Sequence, residues 1–128
     1  MYYRLGTIRL DIAHRDDAMG AMFRAAVNSL TNAGVVDDTA ALLAYLDAQE
    51  KAKPGIVGCV GHFMSGQYIT TVSARFPHRM TAAASLYGVG IITDKEDSPH
   101  PLLDKIKREL YYAFADTDHA SLPTSPAN

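Results

Sequence analysis

Met19, Met22, Phe23, Ala26, Val27 and Leu30 recur at intervals of three and four, the spacing of one helix face, and predict a helix over about residues 17–30. Asp16 and Asp17 at its start supply the negative charge that a helix N-terminus favours. A second helical pattern covers about residues 33–49, with Val35, Val36, Thr39, Leu42, Leu43 and Leu46 on one side. Pro54 and Gly55 end it. The pattern then changes: residues 56–60 are uniformly apolar and rich in β-branched side chains, as in a parallel strand buried on both faces.

That run leads into Gly61-His62-Phe63-Met64-Ser65-Gly66 and a third helical stretch to about residue 75, with Tyr68, Ile69, Val72 and Ala74 among small polar residues. Glycines at 58 and 61 let neighbouring backbone come close. Strand, tight turn and helix in that order form a nucleophile elbow, which holds its middle residue exposed above a sheet. Phe76-Pro77 stops the helix, and the apolar run over residues 80–87 is the next strand, left through Gly88-Val89-Gly90. Residues 91–101 read as loop, 102–108 as a short helix, and 110–115 as an aromatic-rich third strand. Asp116, Asp118 and His119 follow at its carboxyl end, where ligand-contacting groups of open α/β sheets gather.

The fold class is therefore α/β: three parallel strands near 56–60, 81–86 and 110–115 with helices on both faces, in one domain over residues 1–119. Residues 120–128, rich in Pro and Ser, hold too little apolar surface to order themselves.

Composition narrows the partners. The 128 residues are 48% hydrophobic and 20% charged with a net charge of −2, an ordinary soluble domain without the basic stripe that nucleic acid demands. No apolar run approaches the roughly 20 residues that span a bilayer. Cys59 is alone, so no intramolecular disulfide forms, and a cytoplasmic location is expected. No cofactor and no metal is expected, since no ligand-spaced group stands around His62 or elsewhere.

Gly61-His62-Phe63-Met64-Ser65-Gly66 resembles the Gly-Tyr-Cys-Met-(Gly/Ser)-Gly elbow of the dienelactone hydrolase (carboxymethylenebutenolidase-like) family of α/β-hydrolases. The similarity continues through Leu30-Thr31-Asn32-Ala33, Arg75-Phe76-Pro77-His78-Arg79, residues 82–88, Asp97-Ser98-Pro99-His100 and residues 105–115. It implies the middle of an α/β-hydrolase sheet, a hydrolase of lactone or ester bonds, and a small lactone or ester as ligand. It implies too that Phe63 stands at the position of the nucleophilic Cys and Asp118 at that of the triad acid. The Met64 N–H would be half of the oxyanion hole, and His62 and Tyr87 would line the pocket. The earlier strands, the other oxyanion donor and the triad His are expected to lie outside this stretch of the family's pattern.

A phenyl ring has neither lone pair nor acidic proton, so Phe63 performs no covalent catalysis. Ser65 lacks the flanking glycines of Gly-x-Ser-x-Gly, Phe and Gln standing at 63 and 67, and is expected to cap the helix instead. Cys59, inside the strand, is expected to act as a small core hydrophobe with a raised pKa. His119 adjoins Asp118, but neighbours on an extended chain point to opposite sides. Asp37 and Asp38 read as a solvated face. Whether the chain is an enzyme stays open: the family is hydrolytic, yet the nucleophile and triad His are missing. The alternative is a non-enzymatic module that binds a small molecule or forms a homo-oligomer through an open sheet edge.

Overall fold

The structure is a computed structural model and describes residues 2–6, 11–14 and 16–116. The expectations at Asp118, His119 and residues 120–128 lie outside the described residues. After 3₁₀ turns at Tyr2–Leu5 and Ile12–His14 come α1 (Asp17–Asn28), α2 (Asn32–Asp47), β1 (Val57–His62), a 3₁₀ turn at Phe63–Ser65, α3 (Gly66–Arg75), β2 (Met80–Leu86), a 3₁₀ segment at His100–Lys105 and β3 (Glu109–Ala113).

Both long helices start where a side chain accepts an otherwise orphaned amide. The Met19 N–H donates to Asp16 at 2.7 Å and the Gly34 N–H to the Thr31 hydroxyl at 3.0 Å. Residues 102–108 form no α-helix. The segment is a short 3₁₀ stretch at His100–Lys105 instead, and the chain is already extended at Ile106, with φ of −82° and ψ of 122°.

The strands are parallel, in the order β1-β2-β3. Along β1, Val57, Cys59 and Gly61 face α3, while Gly58, Val60 and His62 face away. The core is built on the α3 side: Val35, Leu43, Tyr68, Val72 and Met80 are buried together, with Leu30, Val57, Cys59, Met64 and Phe76 packed around them. Each fully buried side chain of this size contributes about 1.5–3 kcal/mol.

The helical cover, expected on both faces, lies on one. Among the described residues α3 packs on β1 and β2, α2 packs on α3, and α1 meets only the first 3₁₀ turn. No described helix covers the opposite sheet face, where Val60 is 61% and Tyr111 62% exposed. The all-apolar character of residues 56–60, read as burial on both faces, thus meets a helix on one face only among the described residues. Leu42, placed on the apolar side of α2, is exposed as well.

Asp38 is not simply solvated. It accepts hydrogen bonds from the Tyr3 hydroxyl, at 2.6 Å, and from the Arg4 guanidinium, tying the first 3₁₀ turn to α2. The Tyr3 hydrogen bond first, then Arg4, hold its carboxyl below the usual carboxylate range. A second ion pair closes the loop before β1, where Arg79 grips Asp47 through two nitrogens at 2.8 and 2.9 Å and donates to the Gly55 carbonyl at 2.7 Å.

Candidate elbow site

β1 ends at His62 and α3 begins at Gly66, so the chain reverses within three residues. Phe63 makes that reversal with φ of +49°, a left-handed conformation that residues with a β-carbon rarely adopt. Its ring is 59% exposed. Ser65 fastens the turn: its hydroxyl accepts from the His62 N–H and donates to the His62 carbonyl, both at 2.7 Å. It was expected to cap α3, but its side chain makes no bond to that helix's amides. His62 itself points outward and is exposed.

Small residues let the turn sit this close to the sheet. A β-carbon on Gly61 would lie 2.6 Å from the Ser65 carbonyl oxygen. Gly58, also expected to permit close approach, is ordinary, its nearest neighbour being 3.6 Å away. At the start of α3, Gly66 meets Gly88 across the fully buried hydroxyl of Ser85.

Tyr87 follows β2 as Phe63 follows β1. It too has a left-handed φ, +55°, and an exposed ring. The Val89 N–H donates to the Phe63 carbonyl at 3.1 Å, and the Tyr87 N–H donates to the Ala113 carbonyl at 2.8 Å, so the ends of all three strands are linked. The structure thus brings His62, Phe63, Met64 and Tyr87 to one edge of the sheet; Asp118 lies outside the described residues. Met64 is half-buried, and its carbonyl accepts from the Gln67 side chain at 3.4 Å.

Cys59 lies on the other side of the strand from solvent, beneath α3, with its Sγ 3.9 Å from the Ser73 hydroxyl. Burial pushes its thiol pKa up, which removes nucleophilic character. Among the described residues no group of three His, Cys, Asp or Glu side chains is placed to hold a metal ion, and no helix is long and apolar enough to cross a membrane.

A groove of about 370 Å³ opens elsewhere, between α2, α3 and the loop before the last 3₁₀ segment. Asn32, which the pattern of the chain does not single out, organises it. Buried at the start of α2, Asn32 accepts from the Thr71 hydroxyl at 3.1 Å and donates to the Asp97 carbonyl at 2.9 Å.

A three-stranded parallel sheet whose first strand ends in a left-handed turn and a helix defines the class: an α/β protein carrying the elbow of the α/β-hydrolases. The family model described as "Dienelactone hydrolase family" matches residues 1–125, and the chain belongs to that family. No curated protein and no solved structure matches it.

Proposed function

We propose that this member of a hydrolase family keeps the elbow of a lactone or ester hydrolase without its covalent chemistry, and holds a small lactone or ester at the edge of the sheet without turning it over. The observation that carries this reading is Phe63, exposed at the left-handed turn where an elbow presents its nucleophile. Acyl transfer there would need a lone pair to attack the carbonyl carbon and a base to take the proton, and a phenyl ring supplies neither. The nearest thiol, Cys59, faces α3 rather than the turn and is held protonated by burial. By resemblance to the family's elbow, Met64, next after the turn, stands at the position that contributes one backbone donor of the oxyanion hole. A cytoplasmic location accords with the lone, reduced cysteine.

The test is hydrolysis of p-nitrophenyl acetate and of a dienelactone by the purified chain. The expected rate equals that of the heat-denatured protein. A burst of product, or an acyl adduct mapped by mass spectrometry to any residue, would overturn the reading.

A second reading has its own observation. β1 pairs only with β2 among the described residues, and Ile56 and Val60 beside its open edge are exposed and uncharged. Association of two copies through that edge is the corresponding proposal, and sedimentation velocity over a hundredfold concentration range tests it. A single monomeric species throughout would reject it.

A further inference from the structure

We propose that the sheet face turned away from α3 is a docking site for helix α1 of a second copy of this chain. The contact uses the face of the sheet, not the edge of β1, and it holds whether or not position 63 does chemistry. Register puts Val60, Ala84 and Tyr111 side by side in the middle row of that face. The outer two are 61% and 62% exposed. The row before it ends in Glu109, the one acidic residue among the paired positions of this face, and the row after it begins at His62.

Helix α1 carries a matching surface. Asp17, Arg24 and Asn28 are its only polar side chains, and at about 100° per residue they fall in one strip roughly 40° wide. A helix apolar on every other side is of the kind that protein buries all round. Only its inner side, at Gly20 and Ala26, is buried, while Ala18, Ala21, Met22 and Ala25 opposite are exposed.

Size and charge fit. Three strands about 4.8 Å apart, each about six residues of 3.3 Å, make a face of roughly 14 by 20 Å. The 12 residues of α1 make a rod about 18 Å long and about 10 Å across. Arg24 borders the exposed stripe and is the one basic residue of α1, so its pairing with Glu109 at the rim sets which way the helix lies. The footprint, about 280 Å² on each partner against roughly 800 Å² in a stable interface, makes the pairing transient.

The helix must come from another copy. Asn32 at the start of α2 is bonded to Thr71 on the α3 side of the sheet. A helix on the far face would have its axis roughly 20 Å from one on that side. From Asn28 to Asn32 the chain spans about 14 Å even when fully extended, and the bond from the Leu30 N–H to the Val27 carbonyl shortens it further.

The experiment mixes a Met22→Cys chain with a Tyr111→Cys chain and joins them with a short bis-maleimide, Cys59 being shielded beneath α3. A cross-linked pair is expected whose yield rises with concentration and exceeds that obtained with Tyr45→Cys, a residue 61% exposed on α2. In sedimentation velocity Met22→Lys should weaken self-association roughly tenfold or more, because its ammonium would be buried without a partner, and Met22→Leu should leave it unchanged. Met22 and Tyr111 are exposed, so the cross-link decides the matter even where Met22→Lys fails to fold. A monomer at every concentration, equal cross-linking at Tyr45, or a bridge formed within one chain carrying both cysteines would overturn the docking. So would nuclear Overhauser contacts from Tyr111 to residues 117–128 of its own chain. Self-association that Met22→Lys does not weaken would overturn it too, in favour of the open edge of β1.

Discussion

Gly66 and Gly88 touch: a β-carbon on Gly66 would lie 2.4 Å from the Gly88 Cα. Helix α3 starts at the first of these residues and the chain leaves β2 beside the second, so their contact sets how closely the elbow sits on the sheet. The neighbour of each added methyl would be backbone or a fully buried side chain, neither of which can swing aside. Gly66→Ala should therefore lose about 1–3 kcal/mol, the usual cost of overpacking. Gly58→Ala, with 3.6 Å of clearance, should lose far less. Urea midpoints of the two variants check the contrast, and equal loss would mean that the contact at 66 is not tight.

Phe63 should show an inverted preference between the two smallest residues. At an ordinary position glycine is less stable than alanine by roughly 0.5–1 kcal/mol because it has more freedom to lose. At φ of +49° the alanine β-carbon is strained and glycine is not. Phe63→Gly should unfold at higher urea than Phe63→Ala, both having lost the same ring. The reverse order would show that position 63 does not hold the left-handed turn in solution.

Acid should release the first 3₁₀ turn before it unfolds the core. The carboxyl of Asp38 is held below its ordinary range by the Tyr3 hydroxyl and the Arg4 guanidinium. A carboxylate with a depressed folded pKa contributes stability above the unfolded value and loses it as pH falls through the folded one. Below the ordinary carboxylate range, the tyrosine ring signals of Tyr3 should shift toward free-tyrosine values while Tyr68, in the core, keeps its own. Asp38→Asn should show the released state already at neutral pH. Tyr3 signals that do not change with pH would contradict the tie.

Cys59 works in the opposite direction. Its thiol pKa is raised by burial, so above the ordinary thiol range the unfolded chain gives up a proton that the folded chain keeps. Stability from this group is whole below that range and declines as pH rises through it. Alkylation of Cys59 at neutral pH should be slow in the native protein and fast in denaturant. A Phe63→Cys variant should gain a second thiol that reacts faster than Cys59, since it sits exposed at the turn. Equal rates at the two sulfurs would place 63 away from the surface.

What the chain's own pattern makes legible is local. The spacings of Met19 to Leu30, Val35 to Leu46 and Tyr68 to Ala74, the apolar runs before Gly61 and Gly88, the aromatic run at 110–115 and the small residues around the turn encode three α-helices, three strands and the elbow, because period and turn chemistry act over a few residues. Phe63 was readable as the odd residue in an elbow. Coverage was not readable: Val60 is as apolar as a residue in a doubly covered strand, and nothing along the chain says that none of the described helices lies over it. The same holds for Asp38 and Asn32. Their partners, Arg4 and Asp97, are 34 and 65 residues away, and neither periodicity nor propensity carries a contact of that span.

The hydroxyl of Ser85 is fully buried and, among the described residues, has no hydrogen-bond partner. It is also the atom nearest to any β-carbon added at Gly88, at 2.0 Å; without it the next neighbours stand at 3.0 and 3.4 Å. The order in which mutations arrive therefore matters here. Alanine at 88 drives its β-carbon into that oxygen while serine occupies 85; Ser85→Ala deletes an unsatisfied polar group and removes the closest contact, leaving the tight 3.0 Å approach to the Gly66 backbone. Of the two single steps from Ser-Gly, Ala-Gly removes the buried oxygen and Ser-Ala collides with it, so this one oxygen makes the order of substitution directional.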